Sequence, residues 1–520
     1  MDRFARIVFA VSLFFCYGFS ITENECTVTL EFNEKNNLGA LGVYSRDSLS
    51  VPSEFDLREL TSLSLVGAGY GAPYQNNLPV DIADCIRDER LGNLTNVKIL
   101  NFWLDVSKGS SERSIRSESL ELACKDFRSM KNCLSFFSPE KLKQLKVTLK
   151  RWGNCDYKFL GDFPELVSIS ICNLSEANSL NASQFFQSID LSRVKTIQLS
   201  GFTITNEDML QFQNLKVLQS LGLERCTVPA SANQILAGLD SLESLSLEYC
   251  SATSESDLAH NDTEVVFKKL KTLKLAAHAK SYKIKKMRSP EIRSLTIVGS
   301  LDLNDVRGLD LNQLRSLSLN HIPHEFDEQL LRIVSECRTN LEEIGLSYCS
   351  LSSASLEKLS GLPNLESLKL NSIEVFDGEP VFQINAKLAH LEISNLDVYP
   401  SRHTISKLTQ LRSLTVRGGE ETYLPCEGLK HLVLSNVDLN DAKLESFDGL
   451  KELSLRNCLL PEFVKSNSLP TSIKRLSLEL DYLPDSSTVP LNRVITEKLS
   501  MLAARGYSVH VYFKGKTGKD

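Results

Sequence analysis

Aliphatic residues recur along the chain in groups of three, with two residues between the first pair and one between the second. The frame is clearest at Leu365, Leu368 and Leu370, where polar residues fill the positions between. In an extended segment, residues two apart point to the same face and the residue between them points to the other. Each frame therefore predicts a short strand with one apolar face and one polar face.

The frame repeats in phase, with starts roughly 18 to 28 residues apart from Leu142 onward. Three buried aliphatic side chains contribute about 5–9 kcal/mol, whereas ordering a backbone of about 24 residues costs about 24–48 kcal/mol. One unit cannot fold alone, so the strands are predicted to stack into one long parallel sheet. The regular units begin at Leu142, Leu166, Val194, Leu218, Leu242, Leu270, Ile292, Leu314, Leu341, Leu365, Leu388, Leu411, Leu429, Leu450 and Ile473, and looser ones begin at Leu60 and Leu94.

The segments between strands are predicted to return the chain, partly as helices. Apolar spacing and a following Gly361 and Pro363 favour a helix over 353–360, and similar patterns favour helices over 329–334 and 439–447. A strand over 27–32 is expected to begin an N-terminal cap, and a helix over 494–505 with a strand over 507–513 to close the C-terminal end. The predicted domains are 1–20 (signal peptide), 21–56 (N-terminal cap), 57–141 (irregular repeats and insertions), 142–485 (regular repeats) and 486–520 (C-terminal cap and tail).

The repeated frame resembles that of the leucine-rich-repeat family. The resemblance implies an α/β solenoid, a curved horseshoe with a long parallel sheet on the concave face and helices or turns on the convex face. Cysteine stands three residues after the last framework residue in four units, as in the cysteine-containing and ribonuclease-inhibitor-like branches. These are Cys226, Cys250, Cys349 and Cys458. We expect buried thiols at these positions, with a bridge between adjacent units as the alternative.

The N-terminus has the pattern of a secretory signal. Arg3 and Arg6 precede an apolar run over 7–19, and Gly18 and Ser20 are small residues at the positions that a signal peptidase needs. A membrane anchor is the alternative, but a spanning helix needs about 20 apolar residues. No later segment is a transmembrane candidate, so the predicted location is extracellular.

An exported chain can form disulfides and carry glycans. Twelve of the 13 cysteines remain after a signal peptide containing Cys16 is removed. The pairs closest in sequence within the N-terminal third, Cys124 with Cys133 and Cys155 with Cys172, are the candidate bridges. Candidate glycosylation sequons occur at Asn93, Asn173, Asn181 and Asn261.

The chain lacks the sequence motifs of nucleophilic, metal-dependent or phosphate-binding catalysis. His321 and His324 are interpreted as turn histidines, because a metal site needs three or four ligands. No cofactor is predicted. Net charge −7 argues against a nucleic-acid partner.

Two features suggest binding surfaces. The basic segment over 268–288 contains no acid and fits either a polyanion site or a solvated face. On the polar face of the predicted sheet, small hydroxyl residues fill about half of the outward positions, and one column changes from acidic to basic. The candidate binding residues on this face are Glu224, Glu248, Lys274, Asn320, Lys369, Asn371, His390, Arg417 and Arg456.

The sequence therefore predicts a secreted, non-catalytic recognition scaffold that binds another protein or a polyanionic glycan. A self-associating structural protein of a cell surface or wall is the alternative. A polysaccharide-active enzyme on a parallel β-helix is less favoured, because such an enzyme needs acids clustered on consecutive strands.

Overall fold

The computed structural model describes the parts of the chain that carry the repeat. They are residues 19–23, 26–32, 38–45, 62–67, 95–104, 115–124, 126–149, 157–174, 180–229, 231–252, 265–277, 287–299, 309–324, 327–378, 385, 387–395, 408–418, 428–437, 449–456, 458, 472–480 and 508–513. The chain divides into two compact units. The central unit is Ser45–Ser316, and the terminal unit combines Met1–Tyr44 with Leu317–Asp520.

The central unit is built on parallel strands, one per repeat. Framework residues pair with framework residues, as Leu221 does with Leu245 and Leu245 with Leu273. The strands are Ser62–Gly67, Asn96–Leu104, Ser119–Cys124, Gln144–Leu149, Ser168–Asn173, Thr196–Ser200, Ser220–Glu224, Ser244–Glu248, Thr272–Ala277 and Ser294–Gly299. This register confirms the predicted stacking of the frame, including the looser members at Leu60 and Leu94.

The terminal unit repeats the plan. After Ser316–Asn320, its parallel strands are Glu343–Ser347, Ser367–Asn371, His390–Ser394, Ser413–Arg417, His431–Ser435, Glu452–Arg456, Arg475–Leu480 and Ser508–Phe513. The strand predicted over 507–513 is thus present and extends the sheet beside Arg475–Leu480. The strand predicted over 27–32 is Cys26–Phe32, which pairs antiparallel with Phe19–Glu23 and with Leu38–Ser45.

Aliphatic framework side chains form the core in both units. Leu245 and Leu368 are 0% and 2% exposed, whereas their outward neighbours Ser246 and Lys369 contact solvent. A fully buried leucine stabilises the fold by about 1.5–3 kcal/mol. Because each such side chain packs against its equivalents in neighbouring repeats, the apolar core continues from strand to strand.

Return segments contain short helices and a second line of two-residue strands. The helices are Phe127–Leu134, Ala182–Ser188, Asn206–Phe212 and Ala232–Ala237 in the central unit, with Asp327–Cys337 and Ser353–Ser360 in the terminal unit. The helices predicted over 329–334 and 353–360 are confirmed, and the first is longer than predicted. The helices predicted over 439–447 and 494–505 lie outside the described residues.

The short parallel strands line the sheet edge where the return begins. In the central unit they are Leu180–Asn181, Phe202–Thr203, Thr227–Val228 and Ser251–Ala252. The separate pair Val265–Val266 and Met287–Arg288 lies instead at the ends of two returns, before the main strands Thr272–Ala277 and Ser294–Gly299. In the terminal unit Ser350–Leu351 pairs with Glu374–Val375. Short 3₁₀ segments lie at Tyr157–Asp162, Leu191–Arg193 and Leu311–Gln313, and Leu191–Arg193 follows helix Ala182–Ser188 in the same return.

One regular strand lies where the sequence fits the repeat poorly. Ser119–Cys124 pairs in register with Gln144–Leu149, although Ser117 stands where other units have the first framework leucine. Ser117 is 0% exposed, and its hydroxyl lies 2.9 Å from the Thr95 carbonyl oxygen and 2.7 Å from that of Ser119. A hydrogen-bonded serine therefore replaces an aliphatic side chain in this repeat.

Of the predicted signal peptide, 1–20, residues 1–18 lie outside the described residues, and Phe19 and Ser20 lie in the strand Phe19–Glu23. Among the helices that the structure describes, none combines the length and the apolar character needed to cross a bilayer.

Candidate functional site

The outward side of the sheet is the candidate surface predicted from the sequence. We call it the polar face, and it consists of the side chains at the first, third and fifth positions of each main strand, such as Ser244, Ser246 and Glu248. The register places these side chains in columns along each unit. Neighbouring strands lie about 4.8 Å apart, so each charged side chain reaches the next strand.

In the central unit the structure brings the three predicted candidates together. Glu224 and Glu248 are register partners at the fifth position. Lys274, on the next strand, places its Nζ 2.7 Å from Glu248 Oε2. Ser246 donates to the other Glu248 oxygen over 2.8 Å, and the Arg225 Nε lies 3.8 Å from Glu224 Oε1. Both acids are therefore compensated by groups of this chain.

In the terminal unit the predicted candidates are more scattered. Lys369, His390, Arg417 and Arg456 are exposed, while Asn320 and Asn371 are half-buried. An Arg417 Nη atom lies 3.3 Å from Glu392 Oε1 on the preceding strand. Asn371 Oδ1 accepts a hydrogen bond from Ser394 over 3.0 Å.

Ion pairs along the polar face follow one direction. The acid belongs to the earlier strand and the base to the later one in Glu121–Lys146, Glu248–Lys274, Glu392–Arg417 and Glu452–Arg475. The exception among the described residues is His431, whose Nδ1 lies 3.0 Å from Glu452 Oε2. Exposed pairs of this kind contribute about 0–1 kcal/mol each.

The described part of the basic segment obeys the same rule. Lys268 pairs with Asp240 at 2.9 Å, and Lys271 pairs with Glu243 at 2.9 Å. The hydrogen bond from Lys268 lowers the pKa of the Asp240 carboxyl. These lysines are matched by acids of the preceding repeat, which favours the solvated-face interpretation for this part, and residues 278–286 lie outside the described residues.

Most of the described strands of the regular repeats are followed by a left-handed turn residue, which the frame does not reveal. Its N–H donates to the carbonyl oxygen at the end of the next strand, as in His321 to Ser347 (2.9 Å) and Tyr348 to Asn371 (2.8 Å). Left-handed backbone costs a non-glycine residue about 1–2 kcal/mol. The non-glycine residues with positive φ are Arg225, Tyr249, His321, Tyr348, Ser372, Asn395 and Asn436, with φ between 49° and 57°.

Two of these turn residues stack their rings. The His321 and Tyr348 centroids are 4.7 Å apart with an interplanar angle of 8°. That distance matches the strand spacing of about 4.8 Å, because the two residues occupy equivalent positions in consecutive repeats. A second ring pair forms between His324, in the turn of His321, and Phe376, in a turn two repeats later; the two rings meet edge to face at 6.0 Å. We call His321, His324, Tyr348 and Phe376 the aromatic edge.

Sequence reasoning missed the aromatic edge as a surface. Tyr348 and Phe376 are 52% and 49% exposed, and they are the two aromatic residues among the large exposed hydrophobic side chains that the structure describes. The sequence signal for such a surface was a tyrosine directly before the cysteine that follows a strand, as in Tyr249-Cys250 and Tyr348-Cys349.

The four cysteines that stand three residues after the last framework residue are buried thiols, as expected. Each Sγ donates to the carbonyl oxygen of the last framework residue of the preceding repeat, at 3.3–3.6 Å: Cys226 to Leu199, Cys250 to Leu223, Cys349 to Leu319 and Cys458 to Leu434. Burial raises the pKa of each thiol, to about 11 for Cys226 and in the same direction for Cys349. The thiol hydrogen bond thus satisfies a backbone carbonyl oxygen of the preceding repeat.

The candidate bridging cysteines differ from the sequence prediction. Cys124 and Cys133 are both buried free thiols, and Cys172 is a half-buried free thiol, so the structure does not contain the predicted Cys124–Cys133 bridge. Cys124 ends a strand and Cys133 lies in helix Phe127–Leu134, and burial raises the pKa of Cys133 to about 12. Cys155 lies outside the described residues.

The sequons fall in different environments. Asn173 is 4% exposed, and its Nδ2 donates to the Gly201 carbonyl oxygen over 3.4 Å. A buried amide gives a glycan no access in the folded state. Asn181 lies in the short strand Leu180–Asn181, and Asn93 and Asn261 lie outside the described residues.

The described residues include no group of three or more His, Cys, Asp or Glu side chains placed to hold a metal ion. His321 and His324 instead contact aromatic rings. The described surface offers polar, ionic and ring contacts.

No family model matches the chain, and no curated protein matches its sequence. Solved structures of similar architecture include the mouse RP105/MD-1 complex, at 13% identity over 87% of this chain and 79% of that chain, TM-score 0.42. The TLR13–ssRNA13 complex gives 16% identity over 88% and 79%, TM-score 0.38. A leucine-rich-repeat protein of Leptospira interrogans gives 16% over 91% and 89%, TM-score 0.30. The chain's own repeats, with one framework strand and one return segment per unit, have the strand-and-return plan of a leucine-rich-repeat fold.

Proposed function

We propose that this protein is an exported, non-catalytic scaffold that recognises another protein. The observation that carries the proposal is the registered polar face, which presents side chains to solvent from every strand described in the regular repeats. A typical protein interface needs about 800 Å² on each partner, so a few consecutive repeats are enough. The N-terminal signal pattern supports export.

Export is tested by expressing the chain with a C-terminal tag in insect cells and sequencing the N-terminus of the protein in the medium. We expect cleavage after Ser20. Retention in the cytosol with residues 1–20 attached would overturn the exported part of the proposal.

Recognition is tested by cross-linking the tagged chain to proteins of its native extracellular fluid, followed by mass spectrometry. We expect one partner to cross-link reproducibly to lysines on or beside the polar face, such as Lys369, and charge reversal of Arg417 and Arg456 to reduce its capture. Cross-links only between copies of this chain, with concentration-dependent oligomers in light scattering, would replace recognition by self-association.

A further inference from the structure

The aromatic edge has the features of a binding hot spot that lies beside the polar face. Interface hot spots are enriched in tyrosine and other large planar side chains, and they sit where packing fixes the side chain before the partner arrives. Tyr348 is held by its left-handed backbone, with φ 52°, by its N–H bond to Asn371 and by the His321 ring. An exposed ring held in this way loses little conformational entropy on binding.

The edge is continuous over three repeats. The Phe376 N–H donates to the Leu351 carbonyl oxygen over 3.2 Å, which anchors the turn that carries the ring. From there the Phe376 ring reaches His324, in a turn two repeats earlier. Four rings therefore lie on three consecutive turns, each at a position that the backbone fixes.

The turns that carry the rings contain acids but no lysine or arginine. The turns over 321–324, 348–352 and 372–378 contain two acids, Glu374 and Asp377, and no lysine or arginine. Both acids are exposed. Asp377 Oδ1 accepts a hydrogen bond from the Ser353 N–H over 2.6 Å, which holds its carboxylate beside the turn. This composition differs from the polar face, where acids are paired with bases of the next strand.

Resting on the proposed protein-recognition function, we propose that the aromatic edge binds an arginine-bearing segment of a partner protein. The faces of aromatic rings carry negative potential, and a guanidinium stacks on them while its N–H groups reach a carboxylate. Tyr348 and Phe376 supply the rings, and Glu374 and Asp377 supply the charge. Arginine fits better than lysine, because its planar group can stack and pair at the same time.

The test uses random 12-residue peptides displayed on phage and selected on the full chain. We expect arginine to be enriched among the selected peptides. Replacing arginine by citrulline in a synthetic copy of a selected peptide should weaken its binding about tenfold, since the planar shape stays and the charge is lost.

Variants locate the site. Tyr348→Ala and Phe376→Ala should each weaken the peptide about tenfold, Glu374→Gln should weaken it a few-fold, and Tyr348→Phe should retain binding because the ring remains. Tyr249→Ala is the matched control, because Tyr249 occupies the same turn position in the central unit, with φ 53°. Unchanged thermal melting of each variant separates loss of binding from loss of fold.

The outcomes distinguish this inference from the proposed function. Selected peptides without arginine, or binding unaffected by Tyr348→Ala and Phe376→Ala, overturn the inference, even when a partner still cross-links to the polar face. A chain that selects no peptide, captures no protein and binds a glycan array through Tyr348 overturns both.

Discussion

The polar face and the aromatic edge belong to the same repeats, yet they treat their neighbours differently. On the polar face an acid of one strand meets a base of the next, as in Glu248 with Lys274 at 2.7 Å. At the edge, equivalent turn positions place ring on ring, as in His321 with Tyr348 at 4.7 Å. The same spacing of about 4.8 Å produces both contacts.

The two surfaces differ in how much charge or ring surface each leaves available to a partner. Ion pairs between strands use the charge of the polar face within the chain and help to fix the order of repeats. The stacked rings satisfy each other only in part, since half of the Tyr348 side chain still contacts solvent. We infer that the partner contacts both surfaces and that the edge contributes more of the affinity than the ion-paired charges of the polar face do.

The largest effect is expected from a variant that disrupts the framework on which both surfaces depend. Leu368→Asp places a charge among side chains that are 2% exposed or less at Leu368, Leu370 and Ile344. We expect loss of the cooperative melting transition of the terminal unit, because a buried, unpaired charge costs several kcal/mol. Circular dichroism during heating is the measurement.

Lys369→Asp is the control for this variant, because it makes a similar change one residue later, on the opposite face of the same strand. Its melting temperature should fall only slightly, since Lys369 is exposed and lies in register with Glu392. Equal effects of the two variants would contradict the assignment of the two faces.

The framework could be read from the sequence because burial selects aliphatic side chains at fixed positions. The frame at Leu365 predicted the strand, its faces and its neighbours, and the apolar spacing predicted the helix Ser353–Ser360. Ser117 shows where that reasoning fails. A hydroxyl bonded to carbonyl oxygens can occupy a framework position, and periodicity of apolar residues does not detect it.

The edge was harder to predict, because turn residues are not selected by burial. His321 was recognised as a turn residue, but nothing in the frame shows that Tyr348 shares its left-handed backbone or that their rings meet. The left-handed conformation usually indicates glycine. Here arginine, tyrosine, histidine, serine and asparagine adopt it, because a hydrogen bond from each turn N–H to the carbonyl oxygen at the end of the next strand fixes the turn. Charge pairing was equally hidden, since the candidate list named Arg417 without its partner Glu392.

The second prediction concerns the thiol beneath the aromatic edge. Cys349 follows Tyr348 and is 2% exposed, and burial raises its pKa in the folded state. In the unfolded state a thiol ionises near pH 8.5, so above that pH the unfolded state binds fewer protons and the fold loses stability, by about 1.4 kcal/mol per pH unit for one thiol. The loss continues until the pH reaches the raised folded pKa.

Cys349→Ala should therefore be less stable than the parent chain at pH 7 but should lose less stability between pH 8.5 and 10. Denaturant unfolding at several pH values measures both slopes. Parallel slopes would mean that this thiol ionises equally well in the folded state.

The third prediction tests the strain stored in the turns. Ser372 has φ 50° and begins the turn that carries Phe376. Ser372→Gly should raise the free energy of unfolding by up to about 1 kcal/mol, because glycine relieves the left-handed strain. The entropy that glycine adds to the unfolded chain offsets part of this gain. Ser372→Ala, which keeps the Cβ, should not be stabilised, and chemical denaturation distinguishes the two.

The smallest effect is expected on the polar face. A double-mutant cycle with Glu248→Gln and Lys274→Gln should give a coupling energy of about 0.2–1 kcal/mol, since both side chains are partly exposed and water screens their attraction. The coupling should fall as salt rises above 0.1 M, where the screening length is about 10 Å. Peptide binding at the aromatic edge should not change in any of the three variants. If the cycle alters that binding as strongly as Tyr348→Ala does, the peptide does not bind at the aromatic edge alone, because Glu248 and Lys274 act on it as well.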